Sequence, residues 1–136
     1  MAMWVDERGS EVLGIAECRQ LLAIAASKGV PGHLGIFSAD APTVLPVDYV
    51  VNGPDVVLRV GDGLFSHVTG QIVAFEVEGT GDDGRPWSVL VRGLARSEPD
   101  GDAMAGAPRP RVTKPGRHLV RIQAHVVTGR RLGAET

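Results

Sequence analysis

A single cysteine, Cys18, stands among the 136 residues. An internal disulfide is therefore excluded, and one chain cannot supply a zinc site of several thiolates. Aromatic residues are scarce at 4% of the chain, and the isoelectric point lies near 6.1. Both argue against a dedicated nucleic-acid binder, which is usually basic as a domain. No apolar run approaches the ~20 residues that span a bilayer. The start of the sequence has neither the basic nor the apolar region of a signal peptide, so a cytoplasmic location is expected and no membrane partner.

Familiar site motifs are missing as well. His33, His67, His118 and His125 form no His-Glu-x-x-His pattern, and there is no Gly-x-Ser-x-Gly elbow. Gly61-Asp62-Gly63 opens like a dinucleotide fingerprint, but Ser66 occupies the third glycine position and no βαβ unit surrounds it. Asp82-Asp83-Gly84 is too short for an EF-hand loop. No metal site is expected.

What remains is an ordinary globular composition, with 43% hydrophobic and 22% charged residues. The length suits one domain with a real core, spanning 1–136 with residues 1–10 as an N-terminal extension. The net charge is -2, yet residues 104–134 hold Arg109, Arg111, Lys114, Arg117, Arg121, Arg130 and Arg131 without one acid. That basic third is either a solvated face offsetting the acidic remainder or a surface for an anion or an acidic neighbour.

Periodicity divides the chain into one helix and several strands. Cys18, Leu21, Leu22 and Ala25 recur at the helical period. Gly14 is a tolerable N-cap, Glu17 supplies the acidic half of a capping box, and Gly29 is a left-handed stop. From His33 to Ser38 the pattern is a strand, followed by a turn over 39–42. The next run is interrupted by Pro46, which marks an edge or a bulge because proline donates no ladder hydrogen bond. Asn52-Gly-Pro-Asp55 signals a hairpin turn and Val56–Val60 the return strand. Leu64–Thr69 suits one helical turn or a compact loop. Gln71–Gly79 and Trp87–Ser97 alternate as two long strands of a hairpin. Residues 98–116 read as a mobile loop, and 117–127 as a final strand that 128–131 extends. Five to seven short strands with one N-terminal helix indicate a small β-barrel.

Several segments, in order, carry a resemblance: Glu17–Ala23, His33–Phe37, Leu45-Pro-Val-Asp-Tyr-Val-Val-Asn-Gly53, Val57-Leu-Arg59, Val73–Val77, Trp87-Ser-Val-Leu-Val-Arg-Gly93 and Val127–Arg131. Together they resemble the pyridoxamine 5'-phosphate oxidase-like flavin-binding split barrels, most of all the short actinobacterial-type members, over about residues 11 to 132. The resemblance implies a mainly β fold, a six-stranded antiparallel split β-barrel with a short N-terminal helix. It also implies a homodimer with FMN, or the deazaflavin F420 in related branches, in clefts at the interface, and hydride or electron transfer to a small-molecule substrate.

Carried over by position, the resemblance places Pro46, Val47, Asp48 and Tyr49 along the flavin ring and Arg59 at the cofactor phosphate. Trp87 and Ser88 approach the ring from another strand or the other subunit. Short members of the family continue the arginine with threonine, glycine, serine and lysine. Here Val60 stands at the threonine position, and Leu64 and Phe65 follow Gly63. Ser66 and His67 are the candidates to replace the lost hydroxyls and cation. Hydrogen bonds to charged groups contribute roughly 1.5 to 3 kcal/mol each, so the substitutions are expected to weaken FMN binding, with FMN, F420 or no cofactor as the alternatives. Asp48 replaces a frequent asparagine with a group that only accepts hydrogen bonds when ionised. Two functions follow: a dimeric flavin- or deazaflavin-dependent oxidoreductase, or a split-barrel dimer without cofactor that acts as a ligand-binding or accessory protein.

Overall fold

The computed structural model describes residues 4–5, 10–39, 41–105, 107 and 116–133. Asp40 of the expected turn, Arg109, Arg111 and Lys114 of the basic segment, and most of the expected N-terminal extension lie outside them. Two short strands, β1 (Trp4–Val5) and β2 (Glu11–Leu13), precede helix α1 (Ile15–Ser27). Strands β3 (Gly32–Ser38), β4 (Ala41–Asn52) and β5 (Asp55–Val60) follow as an antiparallel meander. Helix α2 (Asp62–Val68) leads to β6 (Ile72–Thr80), β7 (Pro86–Ser97) and β8 (His118–Arg131).

The six strands β3–β8 close into an antiparallel barrel in the order β8-β5-β4-β3-β6-β7, with β7 pairing back onto β8. Closure removes most of the unpaired edge that an open sheet would present. The β1–β2 ribbon extends the sheet from the end of β8, where Glu11, Val12 and Leu13 face Arg131, Arg130 and Gly129. Sequence reading missed this ribbon because two and three residues are too few to show alternation.

The alternation read from the sequence sorts the two faces. Val73, Phe75 and Val77 of β6 and Val89, Val91 and Ala95 of β7 all point into the core. They join Leu34, Leu58, Val120 and Ile122, all fully buried. The two helices sit at opposite mouths of the barrel. Cys18, Leu22 and Ala25 of α1 are buried near the end of β8, and Val68 of α2 at the other mouth. Gly14 is the N-cap and Gly29 takes a left-handed φ of 68° just past the helix. Glu17 makes no capping box. Instead its carboxylate accepts a hydrogen bond from Arg131 of β8 at 2.9 Å, and Arg131 also reaches Glu11.

Three boundaries differ from expectation. The 39–42 turn shrinks to two residues, because Ala41 and Pro42 pair with Ser38 and Phe37 inside β4, and Ala39 takes the left-handed φ of 54° that a two-residue hairpin asks of one central position. Pro46 does not interrupt β4. It lies opposite His33 in the segment of β4 that pairs with β3 only, before pairing with β5 begins at Asp48, so its missing N–H costs no ladder bond on that side. Helix α2 starts at Asp62, so the glycine-rich stretch after Arg59 caps and opens a helix instead of forming a separate loop.

Within the stretch 98–116, the described residues 98–105 form consecutive turns with Asp100 and Asp102 as hinges. Met104 is buried, and Ala103, Ala105 and Ala107 line a shallow pocket with Val50 and Ala26. This segment therefore lies against the outer face of β4 and the side of α1. Much of the basic segment is held by carboxylates of the same chain: Arg117 by Asp62, Arg121 by Glu98 and Asp55, and Arg131 by Glu11 and Glu17. The hydrogen bond to Glu98 comes first in holding the Arg121 guanidinium above its usual range, and that to Glu17 does the same for Arg131.

Candidate functional site

Of the ten residues singled out from the sequence, eight lie on strands and divide between the two faces of the barrel, and Ser66 and His67 lie on helix α2. Val47, Tyr49, Val60 and Trp87 are buried side chains of the core. Strand alternation explains the division, since a residue adjacent to an outward-facing one must point inward. Any ligand on the outer face would meet those four through their backbone alone. Tyr49 meets Phe75 edge to face, and burial pushes its phenol up to about 12.

Pro46, Asp48, Arg59 and Ser88 carry their side chains on the outside. Asp48 and Arg59 are direct cross-strand partners on β4 and β5. The Arg59 side chain is half-buried and makes no hydrogen bond or ion pair among the described residues. Ser88 faces Glu78 and Arg130, whereas Arg59 faces Leu119 of the same strand β8, eleven residues or about 36 Å further along it. One protomer therefore brings Pro46, Asp48 and Arg59 together and leaves Ser88 apart.

Helix α2 holds the two proposed phosphate substitutes, and both are exposed. The His67 ring nitrogen Nε2 is hydrogen-bonded to the carbonyl oxygen of Phe37, at the far end of β3. The start of the same helix is tied to β8, because Asp62 accepts from His118 at 2.5 Å and from Arg117 at 3.2 Å. The His118 hydrogen bond, followed by the Arg117 charge, holds the Asp62 carboxyl below its ordinary value. Phe65 stacks on the His118 ring with centroids 4.4 Å apart.

Between β4 and β7 the outer face forms a groove of about 390 Å³. Its floor is made by small residues, Gly35 and Ala74, which are direct partners across β3 and β6, with Val44 beside Gly35 on β4. His33, Glu76 and Leu90 line one end. The largest exposed apolar side chains adjoin this floor: Phe37 is 76%, Val44 68% and Ile72 66% exposed. Sequence reading passed over these residues, although Ile72 and Ala74 alternate with the core residues Val73 and Phe75 and so had to face outward. A flat ring fits such a floor, since it needs an apolar wall and few polar groups. No group of three or more His, Cys, Asp or Glu among the described residues is arranged to hold a metal. No described helix is long and apolar enough to cross a membrane.

Residues 15–131 match the family model described as pyridoxamine 5'-phosphate oxidase, and the chain belongs to that family. Among solved structures it is similar to the FAD binding protein from Mycobacterium smegmatis, at 27% identity and a TM-score of 0.69, over 90% of this chain and 98% of that one. A putative pyridoxamine 5'-phosphate oxidase from Corynebacterium glutamicum gives 23% identity and a TM-score of 0.69, over 90% and 98% of the two chains. An FAD-binding protein from Mesorhizobium loti gives 20% identity and 0.68, over 91% and 99%. At the identities of the last two, the likeness is one of fold. No curated protein matches the sequence.

Proposed function

We propose that the chain is a flavin-dependent oxidoreductase that works as a homodimer, with the flavin in a cleft between the Gly35–Ala74 groove of one barrel and its partner, and that the flavin is FAD. The observation that carries the reading is the small-residue floor on the outer face of a chain of this family, with Arg59 on the same face two strands away. The relative named as FAD-binding, at 27% identity, supports the choice of flavin. When bound, the flavin supplies the hydride chemistry, and the chain's own residues orient and hold it.

FAD is preferred to FMN for a reason of charge. The terminal phosphate of FMN is close to a dianion and needs several donors in one place. Arg59 is available there, but Val60 faces the core and His67 is engaged by the Phe37 carbonyl. A pyrophosphate carries one charge on each phosphorus and is followed by an adenosine that can be held elsewhere, so it asks less of this one place. F420 presents a similar tricyclic ring and is the second candidate. The substrate is a small molecule whose selection we assign to the loop 98–116, of which Ala103, Ala105 and Ala107 line a pocket with Val50 of β4.

Purified protein titrated with FAD, FMN and F420 tests the proposal. Yellow protein absorbing at about 450 nm, or saturable quenching of added FAD with weaker binding of FMN, is the expected result. Colourless protein that binds none of the three would overturn it and leave the reading of a cofactor-free accessory dimer.

A further inference from the structure

A second cavity, of about 500 Å³, opens at the α1 mouth of the barrel, away from the groove. One wall is the apolar side of α1, with Leu21 and Ile24, continued by Val30. The facing wall is the tip of the β6–β7 hairpin, including Asp82 and Asp83. Trp87 lies in the cavity lining although it is only 6% exposed. Its indole rests on Gly79, its cross-strand partner: a Cβ there would stand 2.7 Å from the ring and 3.2 Å from Nε1. The N–H edge of the indole is thus at Gly79, which also lines the cavity. This N–H makes no hydrogen bond among the described residues. Unlike the Tyr49 hydroxyl it is not sealed from solvent, so an acceptor in the cavity can reach it.

We propose that this cavity is a second small-molecule site, for a planar ring that presents an acceptor to the Trp87 N–H. The chemistry of the walls defines the ligand class. The indole nitrogen donates only, so the near edge of the ligand must accept. The carboxylates of Asp82 and Asp83 accept only when ionised, so its far edge carries N–H or O–H donors. Leu21, Ile24 and Val30 suit the apolar faces of a flat ring. Lys28 at the rim adds one cation, while Arg131 is already held by Glu11 and Glu17. Heteroaromatic amides and amino-substituted heterocycles meet these requirements, and the volume is within the usual range for small-molecule sites.

The test uses the full chain labelled with ¹⁵N. Trp87 and Trp4 are its only tryptophans, so two indole N–H resonances appear, and the variant Trp4→Phe assigns the one from Trp87. Nicotinamide, adenine and 4-hydroxybenzamide are titrated separately to millimolar concentration. A saturable downfield shift of the Trp87 indole proton with at least one probe is expected. Ile24→Phe, at a half-exposed helix position that puts a ring into the cavity, should weaken that binding at least tenfold with the fold retained. An indole resonance that stays in place with all three probes overturns the proposal, as does a shift that Ile24→Phe leaves unchanged. Neither readout depends on whether a flavin binds in the groove.

Discussion

Tyr49 and Phe75 meet edge to face in the barrel core, with ring centroids 4.9 Å apart and planes inclined at 63°. The pair contributes the energy of a good aromatic contact, but the Tyr49 hydroxyl is buried with no hydrogen-bond partner among the described residues. A buried unsatisfied hydroxyl costs about 1 to 3 kcal/mol. Tyr49→Phe keeps the ring contact and removes the penalty, so the variant should be more stable by about 1 kcal/mol in urea unfolding.

The same residue makes the fold sensitive to alkali. Burial raises the Tyr49 phenol from 10.0 to about 12 in the folded state. A raised value means that the stabilisation is fully present below pH 10 and is lost as pH climbs through about 12. Two units correspond to about 3 kcal/mol. Tyr49 is the only tyrosine, so absorbance at about 295 nm reports it alone, and its midpoint should lie near 12 unless unfolding comes first. An ordinary midpoint near 10 in folded protein would show the hydroxyl open to water. Tyr49→Phe should flatten stability across this window.

Cys18 should behave as a core atom. Its thiol is fully buried, and burial, then the Glu17 charge, pushes it above its ordinary value. Native protein should therefore not react with a thiol reagent on a timescale shorter than unfolding. A Cβ at Gly129 would stand 2.6 Å from the Cys18 sulfur. Gly129→Ala should destabilise by about 1 to 3 kcal/mol and expose the thiol, and the double variant with Cys18→Ala should recover part of the loss.

At the opposite mouth, the Asp62 carboxyl is held below its ordinary value by His118 and Arg117. A depressed value means that its contribution is present above the unfolded-state value near 3.8 and disappears as pH falls through the lower folded value. The stability difference between the chain and Asp62→Asn should be constant at neutral pH and vanish in strong acid. The effect is small because Asp62 is exposed. A difference that grows on acidification would reverse the assignment.

Arg59 is the cation on which anionic flavin binding should depend. Arg59→Ala should weaken FAD binding by about tenfold to a hundredfold, the value of one charge-assisted hydrogen bond. Because Arg59 has no ion-pair partner among the described residues, unfolding stability should change little. Loss of stability equal to the loss of binding would assign Arg59 a structural role instead.

The barrel itself was legible in the sequence because core strands such as Val73–Val77 and Trp87–Ala95 alternate cleanly, and the turns between them carry Gly, Pro and Asp. The site was less so. A run such as Pro46-Val-Asp-Tyr49 resembles a flavin wall as a string of letters, yet alternation sends Val47 and Tyr49 inward and only Pro46 and Asp48 outward. His67 looked available for a phosphate, and only the chain's path brings it to a carbonyl 30 residues away. The Asp62–His118 pair spans 56 positions and leaves no local pattern.

The outer face makes the last prediction. Phe37, Val44 and Ile72 lie on adjacent strands around the Gly35–Ala74 floor, and each is at least two-thirds exposed or close to it. Contiguous apolar surface of this kind marks a place of association. A second copy is the natural cover, since symmetric pairing of one patch with itself buries it on both chains at once. Phe37→Asp places a charge at that contact without touching the core and should convert a dimer into a monomer in sedimentation at micromolar concentration. Monomeric Phe37→Asp should also lose FAD binding, because the cleft would lack its second wall. If the variant is monomeric and binds FAD as tightly as the parent chain, the flavin lies on one barrel alone.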